Sequence, residues 1–282
     1  MTIDGETLLA GVMGWPIAHS RSPRLYGYWL KRYGINGAML PLPVLPERLG
    51  DAIRGLAALG FRGANVTIPH KEAVIPFLDD VTPLARRIGA VNTITVGRDG
   101  SLCGDNSDVF GFIAHLKASA PLWEKQKPAV LLGSGGAARA VIAALIEEGV
   151  PQIRLVNRTR ARARDVAAHF GDGRIAITPW EEREAALSGA GLIVNATSLG
   201  MTGKPPLEIG LAEMEKGAVA YDLVYSPLKT EFLAKATARG GQPVDGLGML
   251  LHQARPGFTR WFGREPEVDE ALRTALAADL GL

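Results

Sequence analysis

The residue pattern with the clearest chemical meaning is a glycine-rich turn near the middle of the chain. An apolar run at 129–132 leads into Gly133-Ser134-Gly135-Gly136-Ala137-Ala138, and a helical pattern follows. In a dinucleotide-binding turn, the first glycine permits a tight bend and the second lets a phosphate approach the backbone. A small third residue lets the helix pack on the strand, and the helix N-terminus attracts the anion. The pattern Gly133-x-Gly135-x-x-Ala138 therefore predicts a dinucleotide site rather than an ordinary turn.

The residues after the next strand indicate which dinucleotide binds. A second apolar run at 153–156 ends in Asn157-Arg158-Thr159, where an NAD site usually has an acidic residue. A carboxylate there would repel a 2′-phosphate, whereas a guanidinium offers a planar fork that matches it. The sequence therefore predicts NADP, with Arg158 at the 2′-phosphate. A solvated helix face suits Arg160 and Arg164 better, and a nucleic-acid surface lacks a recognisable motif.

Composition and charge limit the class of protein. The chain has 282 residues, 47% hydrophobic and 21% charged, with a net charge of +2, as in a soluble protein of one or two domains. One cysteine excludes an internal disulfide framework, and the five histidines show no zinc spacing. No apolar stretch approaches the roughly 20 residues that span a bilayer, and the N-terminus does not resemble a signal peptide. We expect a cytoplasmic enzyme with a small-molecule substrate and no metal, membrane or nucleic-acid partner.

Short apolar runs alternate with helical patterns, which predicts an α/β fold. Ser22 is expected to cap a helix that Pro23 opens and Gly34 ends. The hairpin signal Asp99-Gly100 separates two short strands. A helical pattern at 248–262 has no strand partner, so we expect it to fold back onto the first domain. The predicted strands cover 8–13, 38–44, 61–67, 92–96, 101–104, 129–132, 153–156, 175–177, 192–195 and 218–223.

Seven further segments, taken in order, are more specific than the glycine turn. They are Ser20-Arg21-Ser22-Pro23, Asn65-Val66-Thr67-Ile68-Pro69-His70-Lys71, Gly89-Ala90-Val91-Asn92-Thr93, Gly104-Asp105-Asn106-Ser107-Asp108, Asn195-Ala196-Thr197-Ser198-x-Gly200-Met201, Asp222-x-Val224-Tyr225-x-Pro227 and Gly246-x-Gly248-Met249-Leu250-x-x-Gln253-Ala254. The set resembles the shikimate dehydrogenase family over nearly the full chain. The resemblance implies an enzyme of aromatic amino-acid biosynthesis that reduces 3-dehydroshikimate to shikimate with NADPH.

The resemblance also implies a domain organisation and a fold class. It implies an α/β protein of two domains, one with a mixed sheet and one with a Rossmann-type, doubly wound parallel sheet. The substrate domain would comprise residues 1–108 and 246–282, with a C-terminal helix that returns to it. The NADP domain would comprise residues 109–245. The oligomeric state is left open between monomer and homodimer.

Site residues follow from the resemblance, position by position. Lys71 and Asp108 match the catalytic pair of the family. The positions that match its substrate contacts are Ser20, Ser22, Thr67, Asn92, Tyr225 and Gln253. The positions that match its cofactor contacts are Gly133, Gly135, Gly136, Ala137, Asn157, Arg158, Thr159, Arg162, Thr197, Gly246 and Met249. Ser107 stands where the family commonly has threonine, which keeps the hydroxyl and loses a methyl group.

The chemistry suits the proposed pair. Reduction of a ketone leaves an alkoxide-like oxygen that needs a proton, which a lysine ammonium can donate beside a carboxylate that positions it. In the oxidising direction the lysine acts as the base, so activity should rise toward alkaline pH. Without the resemblance, Lys71 would be interpreted as a surface lysine in a loop, and Asp108 as a carboxylate that is favourable at a helix N-terminus. His70 is expected to point away from Lys71 in an extended segment.

Three other functions remain open at this stage. A quinate/shikimate dehydrogenase with relaxed cofactor use is the nearest, and Arg158 argues against NAD. A non-catalytic module that senses shikimate or a nucleotide would be expected to lack Lys71 or Asp108, and both are present. A related enzyme that acts on an aminated analogue of shikimate is compatible with the sequence.

Overall fold

The chain forms two compact units, each built on a six-stranded sheet. The structure is a computed structural model that describes residues 3–280, except for the side chain of Asp279. The first unit contains the chain up to Asp108 together with Gln253–Leu276, and the second contains Val109–His252 and the described residues after Leu276. Residues 246–252 thus group with the second unit, whereas the sequence assigned them to the first. The roles of the two units remain predictions.

The sheet of the first unit is mixed. Its strands are β1 (Leu8–Gly14), β2 (Gly37–Pro43), β3 (Phe61–Val66), β4 (Asp80–Val81), β5 (Thr93–Val96) and β6 (Leu102–Asp105). The spatial order is β2-β1-β3-β5-β6-β4, with β2, β1 and β3 parallel and β5 antiparallel to both of its neighbours. The register aligns Asn65 with Thr93 and Thr93 with Asp105. Three polar residues therefore lie in one row at the end of three strands.

Helices cover this sheet and close its core. They are α1 (Ser22–Arg32), α2 (Leu49–Ala58), α3 (His70–Ala73) and α4 (Pro83–Ile88), with short 3-10 turns at Pro46–Arg48 and Ile75–Phe77. The amphipathic helix α2 buries Leu49, Ile53 and Leu56 against β3 and its neighbours. Burial of each such side chain contributes about 1.5–3 kcal/mol. The sheet is therefore a rigid platform for the loops at the ends of its strands.

Two helices begin in one unit and end in the other. α5 (Asp108–Ser119) starts at the last residue of the first unit, and α9 (Leu247–Phe262) enters the first unit at Gln253. Within that unit, the Tyr26 hydroxyl donates to the Ala254 carbonyl oxygen at 3.0 Å, and the Trp261 indole donates to the Ile94 carbonyl oxygen at 3.1 Å. The return of the C-terminal helix to the first unit is thus confirmed.

The sheet of the second unit is parallel throughout. Its strands are β7 (Ala129–Leu132), β8 (Ile153–Val156), β9 (Ile175–Thr178), β10 (Leu192–Asn195), β11 (Val219–Asp222) and β12 (Gln242–Val244). The order β12-β11-β10-β7-β8-β9 reverses direction between β7 and β10. This is the doubly wound order of dinucleotide-binding sheets, which bind their ligands at that reversal. The predicted fold class is confirmed.

Four further helices and several short turns complete the described parts of the two units. The helices are α6 (Gly136–Glu147), α7 (Arg160–Phe170), α8 (Glu231–Ala238) and, in the C-terminal region, α10 (Glu270–Ala277); the 3-10 turns are Trp180–Glu182, Ala185–Leu187 and Ala278–Leu280. Between β7 and β8, α6 is almost wholly buried from Ala138 to Ile146. No helix within residues 3–280 is long and apolar enough to cross a membrane.

Two local predictions are wrong. Ser22 is the first residue of α1 and not its cap, because Arg21 already has helical backbone angles and occupies the cap position. The segment that carries His70 and Lys71 is a helical turn rather than extended, because the chain bends at Pro69 after β3 ends. Four residues are too few to produce a helical periodicity, so the sequence could not reveal this turn.

Candidate active site

Lys71 lies on the short helix α3, which two hydrogen bonds fix to the segments just after β2 and just before β5. The His70 imidazole contacts the Val44 carbonyl oxygen at 2.8 Å through Nε2. A carbonyl only accepts, so this nitrogen carries the proton. The Lys71 carbonyl oxygen in turn accepts from the Val91 amide at 2.8 Å. His70 therefore anchors the turn that presents Lys71.

Lys71 and Asp108 form a buried ion pair. The Lys71 Nζ atom lies 2.5 Å from Asp108 Oδ2, and the two side chains are 14% and 1% exposed. Asp108 is the first residue of α5, and its amide donates to Asn106 Oδ1 at 3.0 Å. Asp108 is buried, so removal of Lys71 would leave its carboxylate without an ionic partner, which costs up to about 3–5 kcal/mol in fully buried pairs. The two predicted catalytic groups are therefore in direct contact.

Asn92 completes this arrangement. Its Nδ2 atom donates to Asp108 Oδ1 at 2.8 Å, so each carboxylate oxygen has its own donor. Asn92 is 4% exposed and directly precedes β5. Hydrogen bonding to both oxygens holds the carboxylate in one rotamer. The structure thus brings Lys71, Asn92 and Asp108 together although they are far apart in the sequence.

Ser20 and Ser22 lie at the N-terminus of α1. The Ser22 amide donates to the Ser20 hydroxyl oxygen at 3.4 Å, and the Ser22 side chain is 9% exposed. The first turn of α1 contains no acidic residue. Hydroxyls at the positive end of a helix suit a carboxylate ligand. Their role as substrate contacts remains a prediction.

Thr67 and Gln253 also belong to the first unit. Thr67 follows β3, and its amide donates to the Met13 carbonyl oxygen at 2.9 Å. The Oε1 atom of Gln253 is buried and has no hydrogen-bond partner within the described part of the chain. An unsatisfied buried acceptor costs about 1–3 kcal/mol, and such a group is commonly explained by a ligand or an ordered water.

The glycine turn in the second unit has the geometry that a pyrophosphate requires. Gly133 has φ +109°, and a Cβ atom there would come within 3.1 Å of the Ala196 backbone. Gly135 has an ordinary φ of −84°, and a Cβ atom there would meet nothing within 4 Å. Gly133 is therefore required by the fold, whereas Gly135 leaves open space before the N-terminus of α6.

The first turn of α6 fits an anion. It contains Gly136, Ala137 and Arg139 and no acidic residue, and none of the described side chains caps it. The free amide groups and the helix dipole attract negative charge. Ala138 is fully buried, which allows α6 to pack closely on the sheet. These observations satisfy the requirements of a dinucleotide pyrophosphate.

The predicted 2′-phosphate contacts follow β8. Asn157 Nδ2 donates to the Thr159 carbonyl oxygen at 2.8 Å, which shapes the turn before α7. Arg158 is exposed, and its guanidinium has no hydrogen bond or ion pair with another described residue. Arg162, one turn into α7, is exposed as well. Arg158 can therefore bind a phosphate without first breaking an ion pair with another described residue.

A buried polar network shapes the loop after β10. Asn195 Nδ2 donates to Asp222 Oδ1 at 2.9 Å, and the Thr230 hydroxyl donates to Asp222 Oδ2 at 2.7 Å. Asn195 Oδ1 accepts from both the amide and the hydroxyl of Thr197, at 3.1 and 2.7 Å. Burial raises the pKa of Asp222 to about 6, although hydrogen bonds from Thr230, Val224 and Asn195 act in the opposite direction.

Three more predicted residues belong to the second unit. A Cβ atom on Gly246 would lie 2.3 Å from the Leu223 carbonyl oxygen, so close packing already requires a glycine there. Met249 is 6% exposed within α9, and Tyr225 is half-buried in the loop after β11. Their contacts with a cofactor or a substrate remain predictions.

Sequence reasoning missed the residues that hold Asn92. Thr93 and Ser107 both hydrogen bond to Asn92 Oδ1. Thr93 lies inside a predicted strand, and Ser107 was noted only as a departure from threonine. Their connection depends on the antiparallel pairing of β5 with β6, and no spacing along the chain signals it.

The fold and the two sets of residues together define a class of protein. A doubly wound parallel sheet with this turn and this arginine binds a dinucleotide, and a lysine paired with a carboxylate can move a proton. The chain is accordingly an α/β oxidoreductase that uses a nicotinamide cofactor.

Family models identify the particular group within that class. The shikimate dehydrogenase substrate binding domain matches residues 12–94, the shikimate / quinate 5-dehydrogenase model matches residues 117–202, and the shikimate 5′-dehydrogenase C-terminal domain matches residues 246–276. The chain belongs to the shikimate dehydrogenase family, as its motifs predicted.

Curated relatives extend the match over the whole chain. The shikimate dehydrogenase (NADP(+)) of Paramagnetospirillum magneticum is 56% identical over 272 residues, which cover 96% of this chain and 98% of the relative. The protein of the same name from Paracoccus denitrificans is 54% identical over 271 residues, 96% of each chain.

Solved structures share the fold but differ in their ligands. Shikimate 5-dehydrogenase from Thermus thermophilus, in complex with NADP(H) and shikimate, is 36% identical with a TM-score of 0.85, covering 97% of this chain and all of that one. Quinate dehydrogenase from Corynebacterium glutamicum, in complex with NAD, is 29% identical with a TM-score of 0.88, covering 98% and 99%. The fold therefore accommodates both cofactors, and individual residues must decide between them.

Proposed function

We propose that this chain catalyses the reversible NADPH-dependent reduction of 3-dehydroshikimate to shikimate, with Lys71 and Asp108 as the proton-transfer pair. The observation that carries this mechanism is the buried contact of 2.5 Å between Lys71 Nζ and Asp108 Oδ2. A sensing module would be expected to lack Lys71 or Asp108, and both are present and in contact. The predicted activity, an NADP-dependent oxidation of a CH–OH group, is confirmed by the names of relatives that match the whole chain.

Lys71 supplies the proton in the reducing direction. A bound nicotinamide would supply the hydride, and addition of that hydride to the carbonyl carbon would leave negative charge on the substrate oxygen. The Lys71 ammonium donates a proton to that oxygen and becomes a neutral amine. Asp108 holds the ammonium in place and stabilises its charge before the transfer. In the oxidising direction, the neutral amine of Lys71 accepts the hydroxyl proton.

The other polar groups of the first unit are assigned to substrate binding. The hydroxyls of Ser20 and Ser22 and the N-terminus of α1 suit the substrate carboxylate. Gln253 offers the unpaired acceptor Oε1 to a ring hydroxyl. Thr67 and Asn92 are assigned to the remaining hydroxyl groups. Tyr225, in the second unit, is assigned to the substrate by its position in the family motif.

The second unit is assigned to the cofactor. The turn from Gly133 to Ala137 and the N-terminus of α6 would hold the pyrophosphate. Arg158, with Asn157, Thr159 and Arg162, would hold the adenosine phosphate. The loop that contains Thr197 and the residues Gly246 and Met249 would border the nicotinamide. A cytoplasmic location and a monomeric or homodimeric state remain predictions.

A spectrophotometric assay tests the proposed function. The purified protein is given shikimate or quinate with NADP or NAD, and nicotinamide reduction is followed by absorbance. We expect the highest kcat/KM with shikimate and NADP. Absence of shikimate oxidation would exclude the proposed function. A higher kcat/KM with quinate would show that quinate is the preferred substrate.

A further inference from the structure

Asn92 has only one allowed orientation of its side-chain amide. The Ser107 backbone amide, which can only donate, lies 2.8 Å from Asn92 Oδ1. On the opposite side, Asp108 Oδ1 lies 2.8 Å from Asn92 Nδ2. A rotated amide would place donor against donor and acceptor against acceptor. The network therefore fixes the assignment of oxygen and nitrogen without reference to a ligand.

Thr93 supplies the second donor to the same oxygen. Its hydroxyl lies 2.8 Å from Asn92 Oδ1, and the Ser107 hydroxyl lies 3.2 Å from both Asn92 Oδ1 and Thr93 Oγ1. An amide oxygen accepts two hydrogen bonds and a hydroxyl donates one, which allows either hydroxyl to be the second donor to Asn92 Oδ1. The shorter contact, 2.8 Å from Thr93 against 3.2 Å from Ser107, favours Thr93. Ser107 Oγ donates to Thr93, Thr93 donates to Asn92, and the Ser107 amide donates to Asn92 as well.

The network is well placed to act on the reacting pair. Thr93 is fully buried, and Ser107 and Asn92 are 3% and 4% exposed. Water therefore does not compete for these hydrogen bonds, which are strengthened by the low local polarity. The network ends at Asp108, whose other oxygen contacts Lys71.

We propose that the Thr93 hydroxyl is a positioning group for catalysis, which holds the Asn92 amide and thereby orients Asp108 beside Lys71. This proposal rests on the proposed function of the pair. The Thr93 hydroxyl hydrogen bonds to Asn92 and Ser107 and to neither of the two reacting side chains. Without this hydroxyl, Asn92 Oδ1 loses its 2.8 Å donor from Thr93, and the Ser107 groups and Asp108 hold the amide less tightly in place. A misplaced carboxylate then leaves the Lys71 ammonium in a less productive position.

A pair of substitutions separates positioning from packing. Thr93→Val keeps the shape of the side chain and removes the hydroxyl, whereas Thr93→Ser keeps the hydroxyl and removes a buried methyl group. We expect Thr93→Val to lower kcat about tenfold to a hundredfold, the size of effect that small misplacement of reacting groups produces. Thr93→Ser should retain kcat within about twofold, although loss of a buried methyl lowers its unfolding midpoint. The KM for NADP should change in neither variant.

Two further variants distinguish the loss of this hydroxyl from a general loss of folded structure. Ser107→Ala removes the other hydroxyl and keeps the backbone donor, so we expect a smaller loss of kcat. Thr237→Val makes the same chemical change in α8, where the Thr237 hydroxyl donates to the Leu233 carbonyl oxygen at 2.8 Å. It removes a hydrogen bond that lies outside the network and should leave kcat unchanged.

The outcomes distinguish this proposal from the proposed function. Equal kcat losses in Thr93→Val and Thr93→Ser, or no loss in Thr93→Val, would overturn the positioning role. If the wild-type protein does not oxidise shikimate, the proposed function is wrong, and the positioning role must be tested without an activity assay. Nuclear magnetic resonance of the Asn92 side-chain amide, assigned by its loss in Asn92→Asp, then decides. The proposal requires faster hydrogen exchange of that amide in Thr93→Val than in Thr93→Ser, and equal rates would overturn it.

Discussion

The two units prepare their functional groups in opposite ways. In the first unit, Asn92 and Asp108 are buried and Lys71 is partly buried, and Asp108 hydrogen bonds to both of the others. In the second unit, Arg158 is exposed, and the first turn of α6 has no cap among the described side chains. The internal bonds of the first unit fix the geometry that chemistry needs. The Arg158 guanidinium and the first amide groups of α6 can bind a phosphate without first breaking a hydrogen bond or an ion pair to a described side chain.

Removal of Lys71 should have the largest effect in this comparison. Lys71→Ala takes away the proton donor, and general acid–base catalysis contributes about 100-fold to 10,000-fold to a rate. We expect kcat for shikimate oxidation to fall by that factor. The matched control is Lys117→Ala, which breaks the ion pair of Lys117 with Glu148 in the second unit. Full activity in Lys71→Ala would show that the bonded groups of the first unit do not carry out the proton transfer.

Asp222 is the exception within the second unit, because it is buried and fully bonded. Its pKa in the folded protein is raised from 3.8 to about 6, mainly by burial. The folded state therefore binds the proton more tightly than the unfolded state does. The resulting stabilisation is complete below about pH 3.8 and is lost as the pH rises through about 6.

Asp222→Asn should remove this pH dependence. Relative to the wild type, the free energy of unfolding of the variant should increase by about 3 kcal/mol between pH 3.5 and pH 8, since one pKa unit corresponds to 1.36 kcal/mol. Denaturant unfolding across that range measures the difference. Asp165→Asn, at an exposed position of α7, is the control. Curves that stay parallel for wild type and Asp222→Asn would contradict the prediction.

Arg158 should determine the choice of cofactor. Arg158→Asp places a carboxylate where the 2′-phosphate is expected, and a charge-assisted hydrogen bond contributes about 1.5–3 kcal/mol. We therefore expect the KM for NADP to rise about tenfold to a hundredfold, with a much smaller change for NAD. Arg164→Asp makes the same charge change on an exposed position of α7. Equal effects of Arg158→Asp on both cofactors would refute the assignment.

The two glycines of the turn should respond differently to alanine. Gly133→Ala is strained at φ +109° and should lower the free energy of unfolding by about 1–3 kcal/mol. Gly135→Ala meets no obstacle and should alter stability by less than about 0.5 kcal/mol. The added methyl group of Gly135→Ala would nevertheless stand where the phosphate approaches, so the KM for NADP should rise severalfold. If Gly135→Ala leaves that KM unchanged, this turn does not hold the pyrophosphate.

The same contrast explains what the sequence could predict. The nucleotide turn and Arg158 are local features, since a strand, a turn and a helix N-terminus follow one another along the chain. Their spacing was sufficient to predict a dinucleotide and to favour NADP. The parallel sheet followed from alternating strands and helices, with the exception of β12, whose three residues include Pro243 at the edge of the sheet.

The site of the first unit could not be predicted in this way. Lys71, Asn92 and Asp108 meet only because β5 and β6 pair in an antiparallel register beside β3. Their roles came from the resemblance to a family, and their contacts came from the structure. The Thr93 hydroxyl had no signal in the sequence, because threonine is common in strands for reasons of packing alone.

The central claim is that Lys71 and Asp108 act as a unit, and a double-mutant cycle tests it most directly. The kcat for shikimate oxidation is measured in Lys71→Ala, Asp108→Asn and the variant with both changes. Groups that act together give losses that do not multiply. We predict that the double variant has a kcat within about threefold of Lys71→Ala, because Asp108 acts through the ammonium that Lys71→Ala removes. A double variant slower than Lys71→Ala by the full factor measured for Asp108→Asn would contradict the account.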